Sequence, residues 1–159
     1  GTVRAFDLVK FKNFRIMTTP EPCQLTSVAI DHTSEIVCAG GFDPYSIYIW
    51  SLKTGDIVDI LTGHTAPISS LVMSTSVDLI LSSSWDKSVR AWSVYSKSGN
   101  MEEFLHTSEV ISLDLSQNNK EFYSTTIKGE IYSWDIESGS LKSKFYHINL
   151  SSKFKTYTK

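Results

Sequence analysis

Short runs of alternating apolar and polar residues recur along the whole chain, and each run ends in a polar turn. An alternation with a period of two is typical of β-strands that bury one side. No segment has the spacing of three and four residues that a long amphipathic helix requires. The pattern therefore predicts an all-β protein built from short, meandering antiparallel strands.

Four of these runs superimpose on one another. Each carries an aromatic residue near its end (Phe6, Trp50, Trp92 and Trp134), and these residues are 44, 42 and 42 positions apart. A period in the forties with a terminal aromatic residue is typical of a β-propeller blade made of four antiparallel strands. The predicted anchor strands are residues 2–8, 46–52, 88–94 and 130–136.

The same order of elements repeats between two anchor strands. A turn leads to an outer strand, a loop leads to an inner strand, and a polar turn leads to one more apolar strand. Three full repeats and the last strand of a preceding one predict a partial propeller of about four blades over residues 1–145. Residues 146–159 are predicted to be a polar, basic tail or an inter-blade loop. The predicted outer strands are 57–61, 101–105 and 141–145, the inner strands are 25–30, 68–73 and 110–115, and the strands after them are 36–39, 79–82 and 122–124.

The central repeat resembles the WD-repeat family. It has the dipeptide Gly63-His64 followed by Ser82, Asp86 and Trp92 at intervals of eighteen, four and six residues. The resemblance implies a buried chain of hydrogen bonds in which Trp92 donates to Ser82, Ser82 bonds to His64, and His64 donates to Asp86. Buried polar groups left unpaired are costly, so these residue types are expected to occur together.

The neighbouring repeats match this pattern less well. His106, Ser124 and Trp134 keep the same offsets, but Lys128 replaces the aspartate, so only a partial network is expected there. The first full repeat lacks both the histidine and the serine. We expect these two blades to depend on apolar packing alone.

A histidine, a serine and an aspartate also suggest a nucleophilic triad. That interpretation needs a serine on an exposed, strained turn, whereas Ser82 lies inside a predicted strand and no GxSxG motif is present. It also leaves Trp92 without a role. The histidines and the two cysteines have no metal-ligand spacing, and no glycine-rich phosphate loop occurs. The sequence therefore predicts a protein that is not an enzyme and has no metal or cofactor.

Composition adds few constraints. The chain has 159 residues and a net charge of −2, which fits one globular domain and provides no general positive field for nucleic acid or anionic membranes. Cys23 and Cys38 lie among apolar residues without CxxC spacing, so we expect two reduced, buried thiols.

Longer runs resemble one branch of the WD-repeat family, the nucleolar subunits of the small-subunit processome, in the first propeller of such a protein. The resemblance implies a non-catalytic scaffold in small-subunit rRNA processing, located in the nucleus and nucleolus. Its implied partners are other WD-repeat processome proteins, with pre-ribosomal RNA and the small nucleolar ribonucleoprotein contacted indirectly or weakly. The alternative is a general adaptor, such as a substrate receptor in protein modification. The runs are GTVRAFDL, FRIMTTPEPCQLTSVAID, SEIVCAGG, IYIWSLKTGDIVDILTGHTAPISSL and SSSWDKSVRAWS.

Two groups of residues are candidates for partner contact. The resemblance implies that residues before the turn aspartate and at the start of the inner strand line the narrow face of the propeller; large apolar groups there suit protein interfaces. The alternative is that Trp85 folds over its own loop or against the next blade. Basic and aromatic residues in KFKNFR suggest an RNA contact or, more simply, an outer edge strand. The first group is Trp85, Thr65, Pro67, Phe42, Pro44 and Tyr45, and the second is Lys10, Lys12 and Arg15.

An incomplete ring of blades leaves an apolar face at each end. We therefore expect either that the natural protein continues in both directions or that the fragment self-associates to cover its open blades. Light scattering distinguishes these alternatives, because a soluble monomer would count against self-association.

Overall fold

The computed structural model describes residues 1–74, 79–94 and 100–146, with the side chains of residues 100 and 101 left aside. The predicted tail therefore lies outside the described residues from position 147 onward. The described strands, in chain order, are β1 (Thr2–Asp7), β2 (Lys12–Thr18), β3 (Gln24–Ile30), β4 (Ile36–Asp43), β5 (Ile47–Ser51), β6 (Ile57–Leu61), β7 (Ile68–Met73), β8 (Leu79–Ser84), β9 (Ser88–Ser93), β10 (Asn100–Leu105), β11 (Val110–Leu115), β12 (Glu121–Thr126), β13 (Glu130–Asp135) and β14 (Leu141–Tyr146).

The strands form four antiparallel sheets, as the alternating pattern predicts. Strands β3–β6 form blade A, β7–β10 form blade B, and β11–β14 form blade C, each in simple meander order. Strands β1 and β2 form a two-stranded sheet, called here the first pair. The prediction of an all-β, propeller-type fragment is confirmed. The predicted anchor strands correspond to β1, β5, β9 and β13.

The first pair adds a strand to the single preceding strand that the repeat count predicts, and this strand agrees with the outer edge strand suggested for KFKNFR. The blade before blade A contributes an outer strand, β2, as well as the anchor strand β1. The chain after Phe6 turns back immediately, and Val3 pairs with Met17 across the two strands. The two aligned residues share a face, and both pack toward blade A.

Blades A and B each lie between two neighbouring sheets, so both of their faces are buried. Successive residues in a strand point to opposite faces and therefore pack against different neighbours. In blade A, the cross-strand pair Val37 and Trp50 faces the first pair, whereas Cys38 and Ile49 face blade B. Blade B repeats the arrangement, with Ile80 and Trp92 toward blade A and Leu81 and Ala91 toward blade C. The hydrophobic core is therefore a series of three clusters between sheets.

Close approach between blades A and B depends on Gly40 in β4. A Cβ atom at this position would lie 2.5 Å from Cγ2 of Ile68 in β7. Hydrogen bonds also join neighbouring inner strands. Thr26 donates to the carbonyl of Ile68, and Ser69 donates to the carbonyl of Val110 at 2.7 Å. Inner strands of adjacent blades are thus linked by hydrogen bonds from side chains to backbone carbonyls as well as by apolar contacts.

Both cysteines are buried and unpaired. Burial raises the pKa of the Cys38 thiol to about 12, which keeps this residue in its thiol form. Within the described ranges, no helix has the length and apolar character needed to cross a membrane.

Apolar side chains remain exposed at the two ends of the stack. Phe6, Phe14 and Ile16 are exposed in the first pair, and Tyr123, Ile131 and Phe145 are exposed in blade C. The register places Ile131 opposite Phe145, on the face of blade C that is turned away from blade B. Each end of the stack therefore presents the same kind of surface that is buried between blades.

Candidate functional site

The four residues singled out in the central repeat converge in blade B. His64 lies in the loop before β7, Ser82 is in β8, Asp86 is in the turn after β8, and Trp92 is in β9. Ser82 is completely buried, and His64 is 7% exposed. Neighbouring strands of one sheet thus supply the serine and the tryptophan, and the loops at one end supply the histidine and the aspartate.

These side chains form a continuous hydrogen-bonded chain. Trp92 Nε1 donates to Ser82 Oγ at 2.7 Å, and Ser82 Oγ lies 2.7 Å from His64 Nε2. His64 Nδ1 lies 2.6 Å from Asp86 Oδ2. With the imidazole proton on Nδ1, His64 donates to the carboxylate and accepts the Ser82 hydroxyl proton. Every polar side-chain atom of this four-residue network then has a hydrogen-bond partner.

Asp86 also organises the two loops around it. Its Oδ2 accepts from the Thr65 amide at 3.2 Å, and its Oδ1 accepts from the Ser88 amide at 2.9 Å and the Ser88 hydroxyl at 2.7 Å. Burial disfavours the ionised carboxylate, but the hydrogen bonds from His64 and Ser88 lower the pKa of Asp86 below its usual value. Asp86 is thus an ionised anchor for both loops.

This geometry is unsuited to nucleophilic catalysis. The Ser82 hydroxyl is enclosed within the sheet, and its oxygen already accepts the Trp92 indole proton. A substrate carbonyl needs an open approach to the serine and donors placed for its developing negative charge. The arrangement serves instead to hold two strands and two loops together.

The corresponding residues of blade C come together only in part. His106 Nε2 lies 2.7 Å from Ser124 Oγ, but with no turn aspartate His106 Nδ1 donates to the Phe104 carbonyl at 3.0 Å. The indole nitrogen of Trp134 is buried without a hydrogen-bond partner. Aromatic packing holds this ring instead, since it stacks on Phe122 with an interplanar angle of 11°.

A polar cluster that the sequence reasoning missed lies beside these residues. Glu130 accepts from Thr107 and from the Tyr132 hydroxyl at 3.0 Å, and Lys144 Nζ lies 2.9 Å from its other oxygen. Burial opposes ionisation, yet the hydrogen bonds from Thr107, Lys144 and Tyr132 lower the pKa of Glu130 to about 2. In the sequence, Glu130 and Tyr132 alternate along β13 and Lys144 lies in β14. This pattern also fits a solvated edge of the sheet.

The expectation that blades A and C depend on apolar packing alone is therefore wrong, and the partial network expected in blade C forms between His106 and Ser124 without Trp134. Blade C contains the His106–Ser124 bond and the Glu130 cluster. In blade A, Trp50 Nε1 donates to the carbonyl of Thr18 in the first pair at 3.1 Å. A buried indole N–H is costly to leave unpaired, and a neighbouring sheet supplies its acceptor here.

The candidate partner-contact residues lie at one end of the blades, called here the upper surface; Phe42 is near the end of β4 and the others are in loops. The rings of Phe42 and Trp85 meet edge to face with centroids 6.2 Å apart, although the residues belong to different blades. They remain 38% and 49% exposed, and Tyr45 and Pro44 are exposed beside Phe42. Trp85 thus packs against a neighbouring blade and also presents a free aromatic surface.

Thr65 and Pro67 have backbone roles at the same surface. The Thr65 amide donates to Asp86, and the Pro67 carbonyl accepts from the Trp85 amide at 3.1 Å. The Thr65 side chain is exposed, whereas Pro67 is partly buried. The loop carrying His64 therefore positions the backbone of Trp85.

Ile127 extends the apolar upper surface into blade C and was missed in the sequence. It occupies the position of Trp85 one repeat later, and its amide donates to the Glu109 carbonyl as the Trp85 amide donates to that of Pro67. Ile127 is 65% exposed. The signal available was its position directly before Lys128, the residue that replaces the turn aspartate. Phe42, Trp85 and Ile127 thus hold equivalent positions in three blades, each directly before the turn aspartate or its replacement, and are called here the apolar row.

The three residues of the candidate basic strip, Lys10, Lys12 and Arg15, differ in their contacts. The guanidinium of Arg15 donates to the carbonyls of Leu52 and Thr54, each at 3.2 Å, and to that of Lys53. Arg15 therefore fastens the first pair to the turn after β5. Lys10 and Lys12 are exposed.

No cluster of three or more potential metal ligands occurs among the described residues. The family model described as WD domain, G-beta repeat matches residues 55–93, which contain the complete hydrogen-bonded chain. The protein chain belongs to the WD-repeat family.

Three relatives align with most of this WD-repeat chain. Periodic tryptophan protein 2 of Arabidopsis thaliana is 43% identical over 141 residues, covering 89% of the chain and 16% of the relative. The homolog from Schizosaccharomyces pombe is 40% identical over 136 residues, covering 86% and 16%. The Saccharomyces cerevisiae protein is 40% identical over 130 residues, covering 82% and 14%. The chain thus spans about one sixth of the length of these relatives.

Replacing Ser82 tests the structural role of the hydrogen-bonded chain. Ser82→Ala leaves His64 Nε2 and Trp92 Nε1 without their shared partner, so we expect a loss of about 1–3 kcal/mol in the free energy of unfolding. Ser124→Ala is the matched control, because it removes a partner from His106 but not from Trp134. Urea denaturation should show the larger loss for Ser82→Ala; an equal or larger loss for Ser124→Ala would contradict this role.

His106 provides a pH test of blade C. Burial lowers its pKa from 6.5 to about 4, although its bond to the Phe104 carbonyl favours protonation. Between these values the unfolded chain binds the proton and the folded chain does not, so stability falls as the pH falls. The fall contributed by one such group is at most about 1.4 kcal/mol per pH unit.

Urea denaturation at pH 7 and pH 5 measures this effect. We expect His106→Gln to reduce the difference in unfolding free energy between the two pH values, whatever its effect on stability at pH 7. His32→Gln is the control, since His32 is exposed and the difference should persist. An unchanged pH difference in His106→Gln would show that His106 is not its source.

Proposed function

We propose that this chain is part of a non-catalytic scaffold in ribosome biogenesis that acts in small-subunit rRNA processing. The observation that carries the proposal is its similarity to periodic tryptophan protein 2, at 40–43% identity over 82–89% of the chain in three organisms. The resemblance of the longer runs to nucleolar processome subunits supplies the cellular role and the location. Because the chain covers only a small part of these relatives, the role concerns the longer protein to which the propeller would contribute.

The absence of catalysis in this proposal is supported by the chemistry of blade B. The one serine that lies beside a histidine and an aspartate at these WD-repeat positions is enclosed and bonded to Trp92. The same contacts fix the loops of the upper surface, because His64 and Asp86 lie in those loops. The polar chain thus contributes to function by making a rigid platform for binding.

The upper surface is the proposed protein-binding site. Its apolar row of Phe42, Trp85 and Ile127 crosses three blades, and exposed tryptophan supported by a second aromatic residue suits an interaction hot spot. The proposed partners are other WD-repeat subunits of the processome, with pre-ribosomal RNA and the small nucleolar ribonucleoprotein contacted indirectly or weakly.

We also propose that residues 1–145 belong to one propeller and that its end faces are covered by further blades or, in the isolated chain, by a second copy. The exposed Phe6, Ile16 and Ile131 support this, because equivalent apolar faces are buried between the described blades.

Substitution in the gene of the source organism tests the proposed function. We expect Phe42→Ser with Trp85→Ser to release WD-repeat partners and to cause small-subunit rRNA precursors to accumulate. Removing an aromatic side chain that becomes buried in an interface commonly weakens binding by 2 kcal/mol or more, or roughly 30-fold. Partner recovery is measured by affinity purification, and precursors are measured by RNA hybridisation.

Val58→Ser is the control, because Val58 is exposed on the outer strand of blade A. It should leave partners and precursors unchanged. Normal rRNA processing after depletion of the protein would refute the role in ribosome biogenesis, and recovery of protein-modifying enzymes alone would favour the adaptor alternative.

A further inference from the structure

The turn between β1 and β2 exposes apolar and basic residues that contribute almost nothing to the packing of the described blades. Val9 and Phe11 are each 87% exposed, and Lys10 and Lys12 alternate with them on the surface. Burying a phenylalanine side chain is strongly favourable, and Phe11 obtains almost none of this stabilisation in the folded chain. Hydrophobic burial within this chain therefore does not account for the residue.

Backbone geometry makes Phe11 still more unusual. Its φ is 51°, in the left-handed region that bulky residues seldom occupy. The fifth residue after the anchor is glycine in two other described turns, Gly55 with φ 88° and Gly139 with φ 64°. Phe11 thus occupies a position where glycine is favoured, and strain of this kind is typical of functional sites.

The turn is held firmly in spite of that strain. Asp7 Oδ1 accepts hydrogen bonds from the amides of Val9 and Lys10, each at 2.9 Å. Arg15 joins the following strand to the carbonyls of Leu52 and Thr54 in the neighbouring turn. The Phe11 ring is therefore presented on an ordered support, which reduces the entropy lost on binding.

We propose that this turn binds single-stranded nucleic acid, with the Phe11 ring stacked on a base and Lys10 and Lys12 against the phosphates on either side. A phenylalanine ring offers a stacking face without hydrogen-bonding groups, and adjacent lysines neutralise the backbone of the stacked nucleotide. Lys53 is exposed on the neighbouring turn that Arg15 holds, which adds a further cation to the path of the strand.

Single-stranded nucleic acid fits these residues better than two other anionic partners. An acidic peptide would use the lysines but would leave Phe11 without a stacking partner. An anionic membrane would accept Val9 and Phe11 but would gain little area from a single turn. The net charge of −2 means that attraction comes from the local lysines, so binding should be modest and sensitive to salt.

Fluorescence anisotropy with labelled oligouridine at low ionic strength tests the proposal on the full 159-residue chain. We expect Phe11→Gly to weaken binding about 10-fold, within the range for loss of one base–aromatic stack. The same substitution should leave the thermal unfolding midpoint unchanged or higher, because glycine removes the left-handed strain. A purely structural role for Phe11 predicts the opposite, a lower midpoint with unchanged binding.

Lysine substitutions complete the experiment. Lys10→Gln with Lys12→Gln should weaken binding and reduce the salt dependence by about one to two phosphate contacts. Lys120→Gln is the matched control, since Lys120 is exposed in a turn of blade C, and it should bind like the parent chain. Oligouridine binding that is absent, or unchanged in Phe11→Gly, would overturn the proposal. So would Phe11-dependent binding only to polyglutamate or phosphatidylserine vesicles.

Discussion

Burial of both faces of a sheet is the constraint on which the rest of this structure depends. A four-stranded sheet in blade A or B has no polar face to turn toward water, so each strand must alternate between two different apolar neighbours. Cys38 and Ile49 therefore face blade B, while Val37 and Trp50 face the first pair. Gly40 is needed for the same reason, because a Cβ there would clash with Ile68. Stacking thus determines the residue types of the whole repeat.

Polar groups inside such a stack are costly to leave unpaired, and the blades provide hydrogen-bond partners for them in different ways. Blade B uses a continuous chain from Trp92 to Asp86, which also orders the loops at the upper surface. Blade A sends the Trp50 indole to a carbonyl of the neighbouring sheet. Blade C combines the His106–Ser124 bond with a carboxylate cluster around Glu130. The internal hydrogen bonds and the proposed binding surface are therefore connected through the same loops.

Much of the fold was predictable because a propeller repeats one local solution. The inner strands 68–73 and 110–115 agree with β7 and β11, since their ends are marked by polar turns and their faces by alternation. Contacts specific to one blade were not predictable. Nothing in the local pattern of Arg15 indicates three carbonyl acceptors in a turn nearly 40 residues away. The position of Ile127 was readable in principle, but its exposure depends on the arrangement of the loops. The lack of a hydrogen bond at the Trp134 indole N–H was likewise not predictable, because it depends on how the ring packs.

The four tryptophans of the protein show three different ways of placing an indole ring in this fold. Trp50 and Trp92 donate buried hydrogen bonds, Trp134 is held by aromatic stacking, and Trp85 extends to the upper surface. The exchange of the four indole N–H protons with deuterated water, followed by nuclear magnetic resonance, tests the central claim most directly. The structure predicts slow exchange for Trp92 and fast exchange for Trp85. Exchange at Trp92 as fast as that at Trp85 would contradict a buried, hydrogen-bonded chain in blade B.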